Sequence, residues 1–83
     1  MKFYVYVIYS KSKDKYYTGY CEDISTRVQK HNFGSTPSTK SGIPWELVYF
    51  EEFDNKSDAI KREKEIKKKK SRIYIERLIK SGT

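Results

Sequence analysis

FYVYVIYSKSKDKYYTGYC, residues Phe3–Cys21, decides how this chain folds. Phe3–Tyr9 is β-branched and aromatic throughout, which is the composition of a strand covered on both faces. SKSKDK follows as a polar turn carrying Lys11, Lys13 and Lys15, and Tyr16–Cys21 reads as a second strand, so the two should form an antiparallel hairpin. Alternation sets Tyr4, Tyr6 and Ile8 on one face of the first strand, and Tyr17 and Gly19 on one face of the second. If the turn holds an even number of residues, Tyr6 and Tyr17 look to the same side. A strand tyrosine ordinarily packs. A phenol on such a face can also hydrogen-bond a phosphate, orient a water, or act as a base once a nearby cation lowers its pKa from about 10. Gly19, inside a strand, marks a bulge or the close approach of another chain or ligand.

Beyond the hairpin, Asp23 can cap a helix from Ile24 to about Asn32, with Ile24 and Val28 on one stripe and Gly34 just past its end. Gly34–Pro44 is rich in Ser, Thr, Gly and Pro and reads as a loop, of a length at which function becomes more common than simple connection. Trp45–Phe53 is a third strand, and Asn55 caps a long helix to about Lys69, with Asp58 helping its first turn. Ser71 starts a last helix in which Ile75, Leu78 and Ile79 have helical spacing, and the Ser81–Thr83 tail should fray. The order β-β-α-β-α-α predicts a single α+β domain over residues 1–83, a small three-stranded antiparallel sheet flanked by helices.

With 83 residues the chain can remove only about 60 to 65% of its unfolded surface from water, enough for one core. Hydrophobic residues are 36% and aromatics 16%, which supports a packed core despite 35% charged residues. Eighteen Lys and Arg against eleven Asp and Glu give a net charge of +7, a field that favours polyanions such as nucleic acid or an anionic membrane. One cysteine, Cys21, cannot form an internal disulfide, and with a single histidine it cannot build a closed zinc site, so a reducing, cytoplasmic setting fits. The longest apolar run is far shorter than the roughly 20 residues of a membrane helix, and no small-residue cleavage site follows it. Neither a signal peptide nor a membrane anchor is expected.

Some residues break these patterns. Glu63, four after Ala59 and three before Ile66, falls in the middle of the long helix's apolar stripe. An unpaired buried charge costs several kcal/mol, so Glu63 must be paired, metal-bound or at the rim of a cleft. Arg27 and His31 are i, i+4 on the first helix; they are either plain surface residues or a pair able to hold a phosphate, the guanidinium through its fork and the imidazole through one hydrogen bond or a proton relay. From Lys61 to Arg72 eight basic residues stand against Glu63 and Glu65. Lys67, Lys68, Lys69, Lys70 and Arg72, with Lys40 in the loop, suit phosphate-backbone contacts, although a solvated helix face reads the same way.

Taken together, YVY at Tyr4–Tyr6, YTG at Tyr17–Gly19, Arg27 ten residues after Tyr17, His31, and Glu63 within AIKREKEIKK resemble the GIY-YIG nuclease superfamily. The likeness covers residues 2 to about 80 and is strongest to its small single-domain bacterial members, the UPF0213-like subgroup related to the N-terminal domain of the excision-repair incision nuclease, to which PWELVYFEEF and AIKREKEIKK look characteristic. The resemblance implies metal-dependent cleavage of a phosphodiester in DNA, structured or damaged DNA included. Tyr6 then matches the tyrosine closing the first motif, Tyr17 opens the second, Gly19 is the motif glycine, Arg27 is the helix arginine, and Glu63 is the carboxylate that holds one Mg²⁺ or Mn²⁺. His31 would share the catalytic group. Such chemistry needs charge stabilised on the phosphoryl oxygens, which a metal ion and a guanidinium both do, and one carboxylate suffices for an ion that keeps most of its waters.

Val5 stands where the motif name has isoleucine, Tyr4 where it has glycine and Thr18 where it has the second isoleucine, and no asparagine occurs between Lys67 and Arg77, where many superfamily nucleases carry one. The expected partner is nucleic acid, with a protein partner or a homodimer supplying targeting. Two other functions remain open: a nucleic-acid binding module with the nuclease fold and little catalysis, and a basic scaffold that docks on an acidic protein.

Overall fold

In the computed structural model, which describes residues 1–82, Phe3–Ser10 (β1) is the central strand of an antiparallel sheet. Lys15–Cys21 (β2) and Trp45–Phe53 (β3) pair with it on either side, giving the order β2-β1-β3. The central position accounts for the composition of β1. Val5, Tyr6, Val7 and Ile8 are all buried, because helices cover both faces of the sheet. On one face Tyr6, Ile8, Cys21 and Trp45 pack with Ile24 and Val28 of α1 (Ile24–Asn32) and with Ile43. On the other, Val5 packs with Ala59 and Ile66 of α2 (Lys56–Lys69) and with Tyr74, Ile75 and Leu78 of α3 (Arg72–Ser81).

Ser10 pairs with Lys15, so the turn is the four residues Lys11–Asp14 and its even count puts Tyr6 opposite Gly19 and Ile8 opposite Tyr17. Both tyrosines therefore face α1. Each helix starts at the cap its sequence supplies: Asp23 accepts from the Thr26 amide at 3.1 Å, Asn55 from the Asp58 amide at 2.9 Å and Ser71 from the Tyr74 amide at 3.1 Å. Among the described residues no helix is long and apolar enough to cross a membrane.

Three details differ from the expectation. Gly34–Pro44 is not plain loop but contains a 3-10 helix, Pro37–Gly42, with the proline at its first position, where a missing amide proton costs nothing. The β1–β3 register slips between Val7 and Ile8, which pair with Tyr49 and Leu47 and leave Val48 as the extra residue of a bulge. Ser81 belongs to α3 and its hydroxyl donates to the Leu78 carbonyl at 3.0 Å, whereas Thr83 lies outside the described residues.

A charged cluster ties β3 to both helices behind it. Arg62 holds Glu51 with its fork, Nε to Oε1 at 2.9 Å and Nη2 to Oε2 at 3.0 Å, and also donates to Glu65 and, at 3.1 Å, to the Tyr74 hydroxyl. Burial alone would raise the Glu51 carboxyl, but the Arg62 fork and the Tyr49 hydroxyl take it below the usual carboxylate range, and burial with the Glu51 bond pushes Tyr49 up to about 12. Arg62→Met would leave that half-buried carboxylate unmatched, so urea unfolding at neutral pH should show a loss of about 2 to 3 kcal/mol. A loss below about 0.5 kcal/mol would mean the cluster is no stronger than an exposed ion pair.

Candidate active site

The stripe of α1 does not stop at Val28: His31, three residues further and seven from Ile24, continues it inward, while Arg27 falls on the open flank. His31 is 1% exposed and is held on both ring nitrogens, Nδ1 2.7 Å from the Thr39 hydroxyl and Nε2 2.8 Å from the Tyr6 hydroxyl. Thr39 gives its own proton to the Thr36 carbonyl at 3.2 Å and so accepts from His31. Burial, with Arg27 adding to it, holds the His31 pKa below its ordinary 6.5, so the ring is neutral at neutral pH and carries one proton. That proton is on Nδ1, and Nε2 accepts from Tyr6. The Tyr6 pKa moves upward, by burial first and then by the Tyr17 phenol, with Arg27 opposing. Of the roles open to a phenol on this face, a base made by a nearby cation is disfavoured for Tyr6, which is a phenol whose proton points at a buried imidazole.

Gly19 makes room for this arrangement. A Cβ at residue 19 would stand 2.6 Å from the Tyr6 hydroxyl oxygen. Because β2 is an edge strand, the gap opens a cleft of about 530 Å³ that reaches both sides of the sheet: Tyr6, Tyr17 and Arg27 line it from the α1 side, Glu63 and Lys56 from α2. The side chains of Arg27, Lys30 and Lys56 make no ion pair or hydrogen bond among the described residues, and they line the cleft opposite the carboxylates of Glu22, Asp23 and Glu63. The Tyr17 hydroxyl likewise has no hydrogen-bond partner among the described residues. Its ring is fixed edge-on to His31 at 5.2 Å and to Trp45 at 6.4 Å, with the Lys67 ammonium 5.5 Å from its centroid. Glu63 is 14% exposed and has one oxygen 3.4 Å from Lys67 Nζ.

The expected catalytic and metal residues are thus brought together, with His31 behind Tyr6 rather than beside Arg27 in the opening. The basic residues divide. Lys67 joins the site through Glu63 and Tyr17; Lys68, Lys69 and Lys70 are exposed at the end of α2, and Lys40 is exposed on the 3-10 helix outside the cleft. Arg72 spends its donors within the molecule, on the Asp14 carbonyl at 3.0 Å, the Asp14 carboxylate at 2.7 Å and Glu76 at 3.1 Å. Lys30 and Lys56 are further cleft residues that spacing alone marks, three after Arg27 and seven before Glu63 on the same helical faces. Thr39 had no such signal.

No group of three or more His, Cys, Asp or Glu able to hold a metal ion occurs among the described residues. A hydrated hard cation needs less: Mg²⁺ takes one or two protein oxygens and keeps its waters, and Glu63 has lone pairs beyond the one facing Lys67. The donor set fits such an ion and not a closed site of soft ligands.

Comparison with known proteins gives a match of residues 2–77 to the model of the GIY-YIG catalytic domain. A UPF0213 protein of Staphylococcus saprophyticus is 52% identical over 68 residues, 80% of either chain, and one of Staphylococcus aureus is 44% identical over 79 residues, 89% of this chain and 95% of that one. The solution NMR structure of a UPF0213 protein from Bacillus halodurans is similar with a TM-score of 0.59 and 34% identity, over 96% of this chain and 84% of that one.

Because the folded pKa of His31 is depressed, the unfolded chain binds a proton that the fold refuses once pH drops below about 6.5. Unfolding free energy should be flat in this respect above that value and fall progressively below it, down to the folded pKa. Urea titrations at pH 7.5 and 5.5 should therefore show a larger loss for the wild type than for His31→Gln, which carries no titrating group; equal losses would mean that His31 is not held neutral. Gly19→Ala should displace the Tyr6 ring and cost about 1 to 3 kcal/mol, and a stability within error of wild type would refute the close fit at residue 19.

Proposed function

We propose that this chain, which belongs to the GIY-YIG catalytic domain family, hydrolyses phosphodiester bonds in DNA with one divalent ion, Mg²⁺ or Mn²⁺, held by Glu63. Membership gives a nuclease-type domain with nucleic acid as its partner. The finer reading rests on one observation: an unpaired guanidinium, an unpaired phenol, a carboxylate and a phenol backed by a neutral imidazole all line a single cleft.

The role of each group follows from its surroundings. Arg27, free of carboxylates, would bind the non-bridging oxygens of the phosphate with its fork and stabilise the charge that develops there. Tyr17 would donate its unused hydroxyl to the phosphate or to the attacking water. Tyr6 would accept a proton from that water on its oxygen while passing its own to His31 Nε2, so that no free phenolate is needed. Thr39 holds the ring in the tautomer this transfer requires. The ion, when bound, would polarise the phosphoryl oxygens and lower the cost of forming the nucleophile. A cytoplasmic setting accords with Cys21, buried and free.

The test is cleavage of labelled duplex, single strand, flap, fork and four-way junction, as DNA and RNA, with Mg²⁺, Mn²⁺ or EDTA. Metal-dependent cutting of DNA should fall by about a thousandfold in Glu63→Ala and about a hundredfold in Tyr17→Phe. The rate should hold as pH falls past 6.5 and drop only near the lower pKa of the folded His31, where the ring takes up a proton and can no longer accept from Tyr6. Binding without cutting, equal in wild type and Glu63→Ala, would make the protein a nucleic-acid binding module instead.

A further inference from the structure

Tyr17 has a second neighbourhood. Its far side lines a groove of about 360 Å³ between the edge of β2 and the α2–α3 junction, next to the catalytic cleft but separate from it. The groove has an apolar floor, Ile66 and Ile75, and a rim of Lys15, Lys67 and Lys70. Lys15 and Lys70 make no ion pair among the described residues. Arg72 stands at one end with its donors taken by Asp14 and Glu76, and its carbon Cζ lies 5.4 Å from the centroid of the Tyr16 ring.

Apolar floor, the tyrosines Tyr16 and Tyr17 and the lysine rim together match one kind of ligand, a nucleobase with its phosphate. A base gains by lying on apolar and aromatic groups, and its backbone gains from the lysines. The groove adjoins the cleft through Tyr17, so a strand with its scissile phosphate at Arg27 would cross that ring to arrive here. We infer that this groove seats the nucleotide next to the scissile phosphate, and that it does so only when the base is unpaired. The inference rests on the nuclease reading of the neighbouring cleft. A paired base is held in its stack and cannot enter a groove walled by β2 and α3, so substrates with a single-stranded nucleotide at that position are the class selected.

Fluorescence anisotropy in EDTA separates this from catalysis. The probes are a labelled oligothymidylate, the same backbone with abasic sites, and a hairpin duplex. Wild type should bind the oligothymidylate about tenfold more tightly than either of the others, a base stacked on a protein surface being worth that much. Lys15→Glu with Lys70→Glu should remove the preference for the single strand. Lys61→Glu with Lys64→Glu, the same charge change on an exposed part of α2, should weaken both strands alike and leave the preference intact. A wild-type ratio near one, or a ratio lowered equally by the two pairs, would overturn the inference. Cutting without single-strand preference would remove the groove and leave the nuclease reading; preference without cutting would do the reverse.

Discussion

The hydrogen bond from Tyr6 to His31 is the constraint to which the rest of the site conforms. It joins the central strand to α1 inside the core, and it can form only if the imidazole is neutral, protonated on Nδ1 and turned so that Nε2 meets the phenol. Thr39 fulfils the second condition from the 3-10 helix, and burial fulfils the first. Gly19 fulfils a third, since any side chain there would occupy the space of the Tyr6 hydroxyl. A buried polar pair of this kind is costly unless every member is satisfied, and here the line runs from Tyr6 through His31 and Thr39 to the Thr36 carbonyl without an orphan.

The site also depends on where the hairpin lies in the sheet. With β1 in the centre, β2 is an edge, and groups from opposite faces of the sheet can meet around it. Arg27 comes from the α1 layer and Glu63 from the α2 layer. Had β2 been an interior strand, another strand would have separated them. The pairing of Glu63 with Lys67 suits the same geography: a carboxylate in an apolar stripe is tolerable at a cleft rim when a lysine one turn on offsets its charge.

Most of the fold was legible because local signals agree. Asp23, Asn55 and Ser71 each cap a helix, the hairpin turn has an even count, and the doubly covered strand announces itself in FYVYVIY. The candidate site was legible as a set of residues, but the burial of His31 follows from its i+7 relation to Ile24 and not from the i+4 relation to Arg27 on which the sequence reading rests. What could not be read was long-range. Thr39 reaches His31 from a segment whose Ser, Thr and Pro content signals loop, and the 3-10 helix that places it depends on packing against Trp45, whose indole nitrogen donates to the Thr39 carbonyl at 2.7 Å. The basic run hid its divisions for the same reason: nothing local separates Arg72, bound to Asp14 in the distant hairpin turn, from the exposed lysines beside it. The end of α2 at Lys69 lacks the usual glycine, and Lys70 takes the left-handed conformation itself, φ 46.

The claim on which this account turns is that Tyr6 donates to a neutral His31. Nitrogen-15 NMR of the single imidazole would test it directly, since the two ring nitrogens report separately on protonation and hydrogen bonding. The account predicts that at neutral pH Nδ1 carries the proton and Nε2 is an unprotonated acceptor, and that the ring titrates below 6.5. A proton on Nε2, or a charged ring at neutral pH, would reverse the bond to Tyr6 and contradict the relay.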